Sequence, residues 1–169
     1  ILDTAVYVPH IAHQEPASAG ERELTYGEAL NEALAQEMER DPSVFVMGED
    51  IAEIGGVFQV TKDLAERFGR ERVRDTPISE STFCGAGVGA AIAGMRPVVE
   101  IQIFDFVTLM MDMTVNQAAK FRFMNGGTGK VPVVIRGPQG GGIRMAAQHS
   151  QSLEAWFAHI PGLVVIAPS

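Results

Sequence analysis

The sequence predicts an α/β fold in which a parallel sheet lies between helices, and three observations support that prediction. Short apolar runs rich in β-branched residues recur at 44–48, 97–104 and 131–136. Segments with the apolar spacing of helices separate these runs. The runs carry few polar residues, as strands do when helices cover both faces of a parallel sheet. In such sheets ligands bind beyond the carboxyl ends of the strands.

The first predicted helix starts after Thr25. Thr25 supplies an N-cap hydroxyl and Glu28 stands at the third helical position, which is the spacing of a capping box. Apolar residues then follow helical spacing to Arg40, and Pro42 prevents the helix from continuing. The uncharged, β-branched run at 44–48 predicts a buried strand.

The middle of the chain continues the alternation of helix and strand. Gly55 and Gly56 predict a loop, Thr61 the cap of a short helix through Phe68, and the segment 72–76 a short polar strand. The remaining predicted elements are a helix over about 81–94, a strand at 97–104, a helix over about 107–123, a strand at 131–136, a glycine-rich loop at 137–148, a helix containing Leu153, Ala155 and Trp156, and a final strand at 163–169.

Residues 85–90 formally match the dinucleotide-binding fingerprint G-x-G-x-x-A. That fingerprint requires a hydrophobic strand directly before its first glycine, and the mixed segment 75–84 is not one. Glycines within a helix cost about 0.5–1 kcal/mol each relative to alanine. We therefore interpret this stretch as a helix face of small residues that permits close packing, including packing across a subunit interface.

Composition excludes several classes of function. The chain has 169 residues, 46% of them hydrophobic, which is enough for one domain with a sizeable core. Its 21 acidic and 13 basic residues give a net charge of -8 without a cluster of cations, which argues against a nucleic-acid partner. Its apolar stretches fall short of the roughly 20 residues of a membrane span. The single cysteine, Cys84, excludes an internal disulfide, and no spacing of ligand residues predicts a metal site.

Residues 1–23 are predicted to form a tail or arm, and residues 24–169 one domain. The first segment is rich in Ala, Pro, Gly and Ser and follows neither a strand nor a helix period. It lacks the basic start and apolar centre of a secretory signal, which predicts a cytoplasmic protein. A processed organellar protein would look the same.

Two titratable residues and one aromatic pair are candidates for chemistry. Glu80, at a strand-to-helix junction, either stabilises the first helical turn by less than about 1 kcal/mol or hydrogen-bonds a heterocyclic nitrogen. His149 either caps the following helix or shares with Glu80 the rim beyond the strand ends, where two titratable groups make a site plausible. Phe104 and Phe106 follow a strand, and one of them could stack on a flat ring.

Five segments of the chain carry a specific resemblance. They are GEDI at 48–51, DTPISE at 75–80, GAGVGAAIAGMRPVVE at 85–100, VNQAAKFRFMNGG at 115–127 and AQHSQSLEAWFAHIPGL at 147–163. Together they closely resemble the beta subunit of thiamine-diphosphate-dependent 2-oxoacid dehydrogenases, a family that includes the pyruvate, branched-chain and acetoin enzymes. The resemblance runs from about Leu24 to Ser169 and implies a transketolase-like pyrimidine-binding domain.

The resemblance implies that thiamine diphosphate binds between an alpha and a beta subunit of an α2β2 heterotetramer. The alpha subunit would hold the diphosphate and magnesium, and the beta domain the aminopyrimidine. Glu80 matches the glutamate that hydrogen-bonds ring nitrogen N1′, Phe106 the aromatic that packs on the pyrimidine, and His149 the histidine that assists acyl transfer to a lipoyl arm. Glu49 matches a carboxylate near a proton passage between the two active sites, whereas Leu109 replaces a second acid found in some relatives.

The function implied is oxidative decarboxylation of a pyruvate-type 2-oxoacid with acyl transfer to lipoamide, an oxidoreductase activity. The implied partners are the alpha subunit, a second beta subunit and a lipoyl acyltransferase core. The family's C-terminal domain is absent from this sequence, so we expect no activity from the chain alone. The alternatives are an acetoin dehydrogenase beta subunit, a non-catalytic assembly module of the same fold, and a transketolase-like synthase. Glu80, Phe106 and His149 together favour the dehydrogenase.

Overall fold

Four of the predicted strand segments form a four-stranded parallel sheet in the computed structural model, which describes residues 23–168. The predicted tail at 1–23 lies outside the described residues except for Glu23, so its boundary stays a prediction. The strands are β1 (Val44–Gly48), β2 (Val73–Asp75), β3 (Arg96–Glu100) and β4 (Val134–Arg136). Their order across the sheet is β2-β1-β3-β4, and each neighbouring pair is parallel.

Helices connect the strands and cover both faces of the sheet. The α-helices are α1 (Tyr26–Arg40), α2 (Leu64–Phe68), α3 (Glu80–Ile92), α4 (Ala119–Met124) and α5 (Glu154–Ala158). A 3-10 helix (Phe104–Met110) and a π-helix (Asp112–Ala118) precede α4, and a short 3-10 turn (Gly141–Ile143) follows β4. The predicted α/β class, with a parallel sheet between helices, is confirmed.

The start of α1 confirms the predicted capping box. The Thr25 hydroxyl accepts a hydrogen bond from the Glu28 amide at 3.3 Å, and the Glu28 carboxylate accepts one from the Thr25 amide at 2.8 Å. These two bonds satisfy amides that would otherwise lack partners at the helix start.

Thr61 does not cap α2, so that prediction is wrong. Its buried hydroxyl donates to the carbonyl oxygen of Ile51 at 2.8 Å. The helix begins only after Asp63, whose φ of 63° is left-handed and whose side chain makes no capping bond. Thr61 instead closes the loop that contains Gly55 and Gly56.

The helix predicted over 107–123 is also wrong as a single α-helix. The chain enters the 3-10 helix early, where the Phe104 amide donates to the carbonyl of Pro138 at 2.8 Å. The chain then continues as the π-helix before α4. Within this segment the Thr114 hydroxyl donates a hydrogen bond to the carbonyl oxygen of Met110 at 3.0 Å. Apolar spacing predicts that this segment is helical but does not specify its hydrogen-bond register. Short π segments frequently occur at functional sites.

No strand is present at 163–168, so the predicted final strand is wrong for the described part of this segment. Leu163 and Val165 are half-buried against the core, whereas Val164 and Ile166 are 71% and 79% exposed. The alternation of apolar residues therefore reflects an extended chain with one covered side. Within the described residues, this extended segment forms no strand pairing with β4.

The core has two parts because successive side chains of each strand point to opposite faces. Val46 and Val98 pack with Met38 and Leu64 on the face covered by α1 and α2. The opposite face is covered by α3, the 3-10 helix and α5. Its buried residues include Phe45, Met47, Phe83, Val88, Val99 and Phe157.

The glycines of α3 permit close packing, as the sequence predicted, and the contact is made within this chain. A Cβ on Gly87 would lie 2.5 Å from Cγ2 of Val99 in β3, and one on Gly85 would lie 3.2 Å from the Met113 sulfur. Gly89 faces open space. The fingerprint residues therefore lie inside a helix rather than at a strand-to-helix turn, and a subunit interface along this helix stays a prediction.

Replacing Gly87 with alanine is expected to lower the free energy of unfolding by about 1–3 kcal/mol, because the added methyl overpacks the contact with Val99. Urea titration followed by circular dichroism measures the change. The matched control, Gly89→Ala, adds the same methyl where nothing lies within 4 Å. It should be neutral or stabilising by up to about 1 kcal/mol, and equal effects of both variants would contradict the close packing.

Candidate functional site

Each strand of the sheet leads, at its carboxyl end, to one of the candidate residues. Glu49 directly follows β1, Glu80 follows β2 at the start of α3, Phe106 follows β3, and His149 lies in the segment after β4. Because the strands are parallel, these ends share one edge of the sheet. The structure therefore places all four predicted residues on the rim where ligands bind in such folds.

The crevice of this rim lies between the ends of β1 and β3. The chain leaves β1 for β2 on one side, whereas it leaves β3 for β4 on the other. Such a reversal of direction marks the ligand-binding crevice of open parallel sheets. Glu49 stands on one side of it, and the 3-10 helix that carries Phe106 stands on the other.

Glu49 is a buried carboxyl group next to other acids. Only 8% of it is exposed, and its Oε1 has no hydrogen-bond partner among the described residues. Burial, followed by the negative charges of Glu80 and Asp50, raises the pKa of Glu49. Glu49 therefore keeps its proton at a higher pH than an exposed glutamate does.

The raised pKa of Glu49 predicts a pH-dependent cost to stability. The folded chain holds this proton more tightly than the unfolded chain, so Glu49 lowers stability as pH rises above the usual glutamate range. Glu49→Gln is therefore expected to be more stable than the parent at pH 7, and this gain should disappear near pH 4. Urea titrations at several pH values measure it. The exposed Glu53→Gln control should show no such trend, and a pH-independent effect of Glu49→Gln would contradict the cause given.

Glu80 is the first residue of α3 and is half-buried. The preceding Ser79 makes no capping bond to the helix backbone, and its hydroxyl donates to the Thr82 hydroxyl at 2.7 Å. Ile78 beside it is 84% exposed. Glu80 thus stands in the first turn of α3, where a helix dipole favours a negative charge, and it also lies at the rim.

Phe106 and His149 are in direct contact. Their ring centroids are 5.2 Å apart and the rings are nearly perpendicular, at 87°. The other candidate aromatic, Phe104, makes an edge contact with Phe157 at 5.8 Å and packs against the core. Of the two phenylalanines, only Phe106 is therefore paired with a titratable side chain.

His149 does not cap the helix that follows it. The residue at the N-cap position of α5 is Leu153, four residues further on. The capping interpretation is excluded, and the side chain of His149 instead contacts the ring of Phe106.

Sequence reasoning missed a buried ion pair on the same rim. Glu100 ends β3 and Arg136 ends β4, and the Arg136 guanidinium donates to the Glu100 carboxylate. Only 7% and 17% of the two side chains are exposed. Burial raises the pKa of Glu100, and Arg136 counteracts part of that rise. The signal in the sequence was a charge within an otherwise apolar strand.

The residues of the rim fit a flat nitrogen heterocycle. Glu80 and the unpaired oxygen of Glu49 can hydrogen-bond a ring nitrogen or its proton, and Phe106 offers an apolar ring surface. Within residues 23–168, no cluster of three His, Cys, Asp or Glu side chains is placed to hold a metal ion. This donor set suits the aminopyrimidine of thiamine diphosphate.

Fold and rim together define a parallel α/β domain whose candidate binding residues lie at the carboxyl ends of its strands. The chain belongs to the family described as "Transketolase, pyrimidine binding domain", whose sequence model matches residues 22–169. The predicted transketolase-like fold is thereby confirmed.

Several curated proteins are similar to this chain over nearly its full length. It is 50% identical over 151 residues to a protein of Arabidopsis thaliana named pyruvate dehydrogenase E1 component subunit beta-1, mitochondrial, covering 89% of this chain and 42% of that protein. It is 52% identical over 146 residues to pyruvate dehydrogenase E1 component subunit beta of Rickettsia felis, covering 86% and 45%. The protein of that name in Rhizobium meliloti is 49% identical over 153 residues, covering 90% and 33%. The chain thus spans less than half the length of these relatives.

Among the helices of residues 23–168, none has both the length and the apolar character needed to cross a membrane.

Proposed function

We propose that this chain is the pyrimidine-binding part of the beta subunit of a thiamine-diphosphate-dependent 2-oxoacid dehydrogenase of the pyruvate type. The observation that carries the proposal is the row of Glu80, Glu49, Phe106 and His149 along one sheet edge. About half of the residues are identical to those of proteins named as pyruvate dehydrogenase beta subunits, which supports the same conclusion.

Each residue of the row has a role in this proposal. Glu80 hydrogen-bonds a ring nitrogen of the aminopyrimidine, and the nearby Glu49 helps to retain a proton at that end of the rim because its pKa is raised. Phe106 packs on the flat ring, and His149 assists the transfer of the acyl group to a lipoyl arm. The bound cofactor supplies the carbon nucleophile that the chain itself lacks.

The proposal requires other chains. An alpha subunit supplies the diphosphate and magnesium site, and a second beta subunit completes the heterotetramer. A lipoyl acyltransferase core accepts the acyl group. A cytoplasmic location stays a prediction, since some relatives are named mitochondrial and others are bacterial.

Reconstitution tests the proposal. The full-length parent subunit is co-expressed with its alpha subunit, and thiamine-dependent oxidation of pyruvate, 2-oxoisovalerate and acetoin is measured. Selective oxidation of pyruvate would support the proposal, and selective oxidation of acetoin would establish the acetoin enzyme instead. An assembled complex that oxidises none of the three would favour the non-catalytic module. The chain of 169 residues, assayed alone, should be inactive.

A further inference from the structure

The middle of the segment that carries His149 is exposed. We call residues 137–153, between β4 and α5, the histidine loop. Two of its non-glycine residues, Arg144 and Ala146, have left-handed φ values of 56° and 63°. Residues 144–148 are exposed, so apolar burial contributes little to holding them. A loop in such strained conformations keeps one shape only where the surrounding structure imposes it.

Asp105 provides a buried attachment point for this loop. Only 4% of Asp105 is exposed. Its Oδ1 accepts two hydrogen bonds from Gln151, one from the backbone amide at 3.1 Å and one from the side-chain amide at 2.8 Å. These two bonds fix both the position and the orientation of the loop at Gln151.

The attachment lies beside the aromatic contact of the candidate site. Asp105 precedes Phe106 in the 3-10 helix, and Gln151 follows His149 by two residues. The same two segments meet again in the contact of the Phe106 and His149 rings at 5.2 Å. Loss of the Asp105 bonds would therefore release the side of the loop on which His149 sits.

A second set of hydrogen bonds joins the histidine loop to the start of α5. Gln139 accepts from the Leu153 amide at 3.3 Å and donates to the Glu154 carboxylate at 2.7 Å. These bonds join the start of the loop to α5 and make no contact with the 3-10 helix. Gln139 is thus a natural control for general loosening of the loop.

Hydrogen bonds compensate the burial of Asp105 only in part. Its second oxygen, Oδ2, has no hydrogen-bond partner within the described residues. A buried polar atom without a partner costs about 1–3 kcal/mol. Such groups in a folded protein call for an explanation other than packing.

We propose that Asp105 is a positioning residue that clamps the histidine loop to the 3-10 helix and so holds His149 against Phe106. This proposal rests on the proposed function, because Asp105 would position His149 for the acyl-transfer step. Asp105 does not touch the substrate in this role. It acts through Gln151 and the loop.

Two activities of the reconstituted full-length enzyme separate this role from a general loss of structure. In the proposed function, His149 acts in the acylation of a lipoyl domain and takes no part in the oxidation of pyruvate with an artificial electron acceptor. Asp105→Ala and Gln151→Ala should lower lipoyl acylation by about 10- to 100-fold, the scale of a misplacement near 1 Å, and acceptor-linked oxidation by less than about threefold. Asp105→Asn keeps an accepting oxygen and should retain most of both activities. Gln139→Ala should affect both activities alike.

Hydrogen–deuterium exchange of the cofactor-free complex gives a readout independent of turnover. Peptides covering 144–152 should exchange faster in Asp105→Ala and Gln151→Ala, and peptides from β1 and β3 should not. Unchanged loop exchange, or equal loss of both activities in the soluble Gln151→Ala variant, would overturn the proposal. A parent complex that oxidises no 2-oxoacid would instead refute the proposed function, and loop exchange would still decide whether Asp105 holds the loop.

Discussion

Glu80→Gln is expected to lower 2-oxoacid oxidation by the assembled enzyme by about 10²- to 10⁴-fold, the usual contribution of a positioned acid or base. Glutamine keeps the size of the side chain and can still hydrogen-bond, but it cannot exchange a proton with a ring nitrogen. Acceptor-linked oxidation and lipoyl acylation should fall together, because Glu80 acts before the two activities diverge. Steady-state kinetics with saturating thiamine diphosphate measure both.

A matched control for this variant is Glu71→Gln. Glu71 is an exposed glutamate that precedes β2, at the opposite end of that strand from the rim. It should retain activity within about twofold, in keeping with the small effects of surface substitutions. A Glu80→Gln enzyme as active as the Glu71→Gln enzyme would leave only the helix-dipole interpretation of Glu80.

Arg136→Met is expected to lower the free energy of unfolding by about 3–5 kcal/mol, because it leaves the buried Glu100 carboxylate without its partner. Thermal and urea unfolding measure the loss. The loss should grow as pH rises above the usual glutamate range, since burial already raises the pKa of Glu100 and only Arg136 opposes that rise.

Two further variants test the cause of this loss. Arg96 pairs with Asp41 at 3.2 Å, but its side chain is 60% exposed. Arg96→Met should therefore cost less than about 1 kcal/mol. Replacing Glu100 with glutamine in the Arg136→Met background removes the unpaired charge and should recover part of the stability. Equal costs for Arg96→Met and Arg136→Met would contradict the role of burial.

Local patterns in the sequence were sufficient to predict most of the fold. The capping box at Thr25 and the apolar run at 44–48 depend on neighbours within a few residues, so both were predicted correctly. The π-helix and the absence of the final strand were not predicted, because hydrogen-bond register and strand pairing depend on segments distant in the chain. The prediction that Thr61 caps α2 was wrong for the same reason, since its hydroxyl donates to the carbonyl oxygen of Ile51, ten residues earlier.

The candidate site was predicted only in part. Glu80 and His149 follow predicted strands, so parallel topology alone places them on one rim. The contacts that hold the rim join residues 36 apart, for Glu100 and Arg136, or 46 apart, for Asp105 and Gln151. No local pattern specifies such partners. The available hint was a charged residue within an apolar run, at Glu100 and at Asp105.

The strand order also implies a division of labour along the sheet edge. Parallel neighbours lie about 4.8 Å apart, so four strand ends form a row about 14 Å long, more than one pyrimidine ring can span. The two carboxyl groups follow β2 and β1 at one end, and Phe106 and His149 follow β3 and β4 at the other. In the proposed function, the pyrimidine ring would lie over the middle of this row, between Glu80 and Phe106, and His149 would act at the β4 end, so the acyl-transfer end could change without moving the strands that support the carboxyl groups.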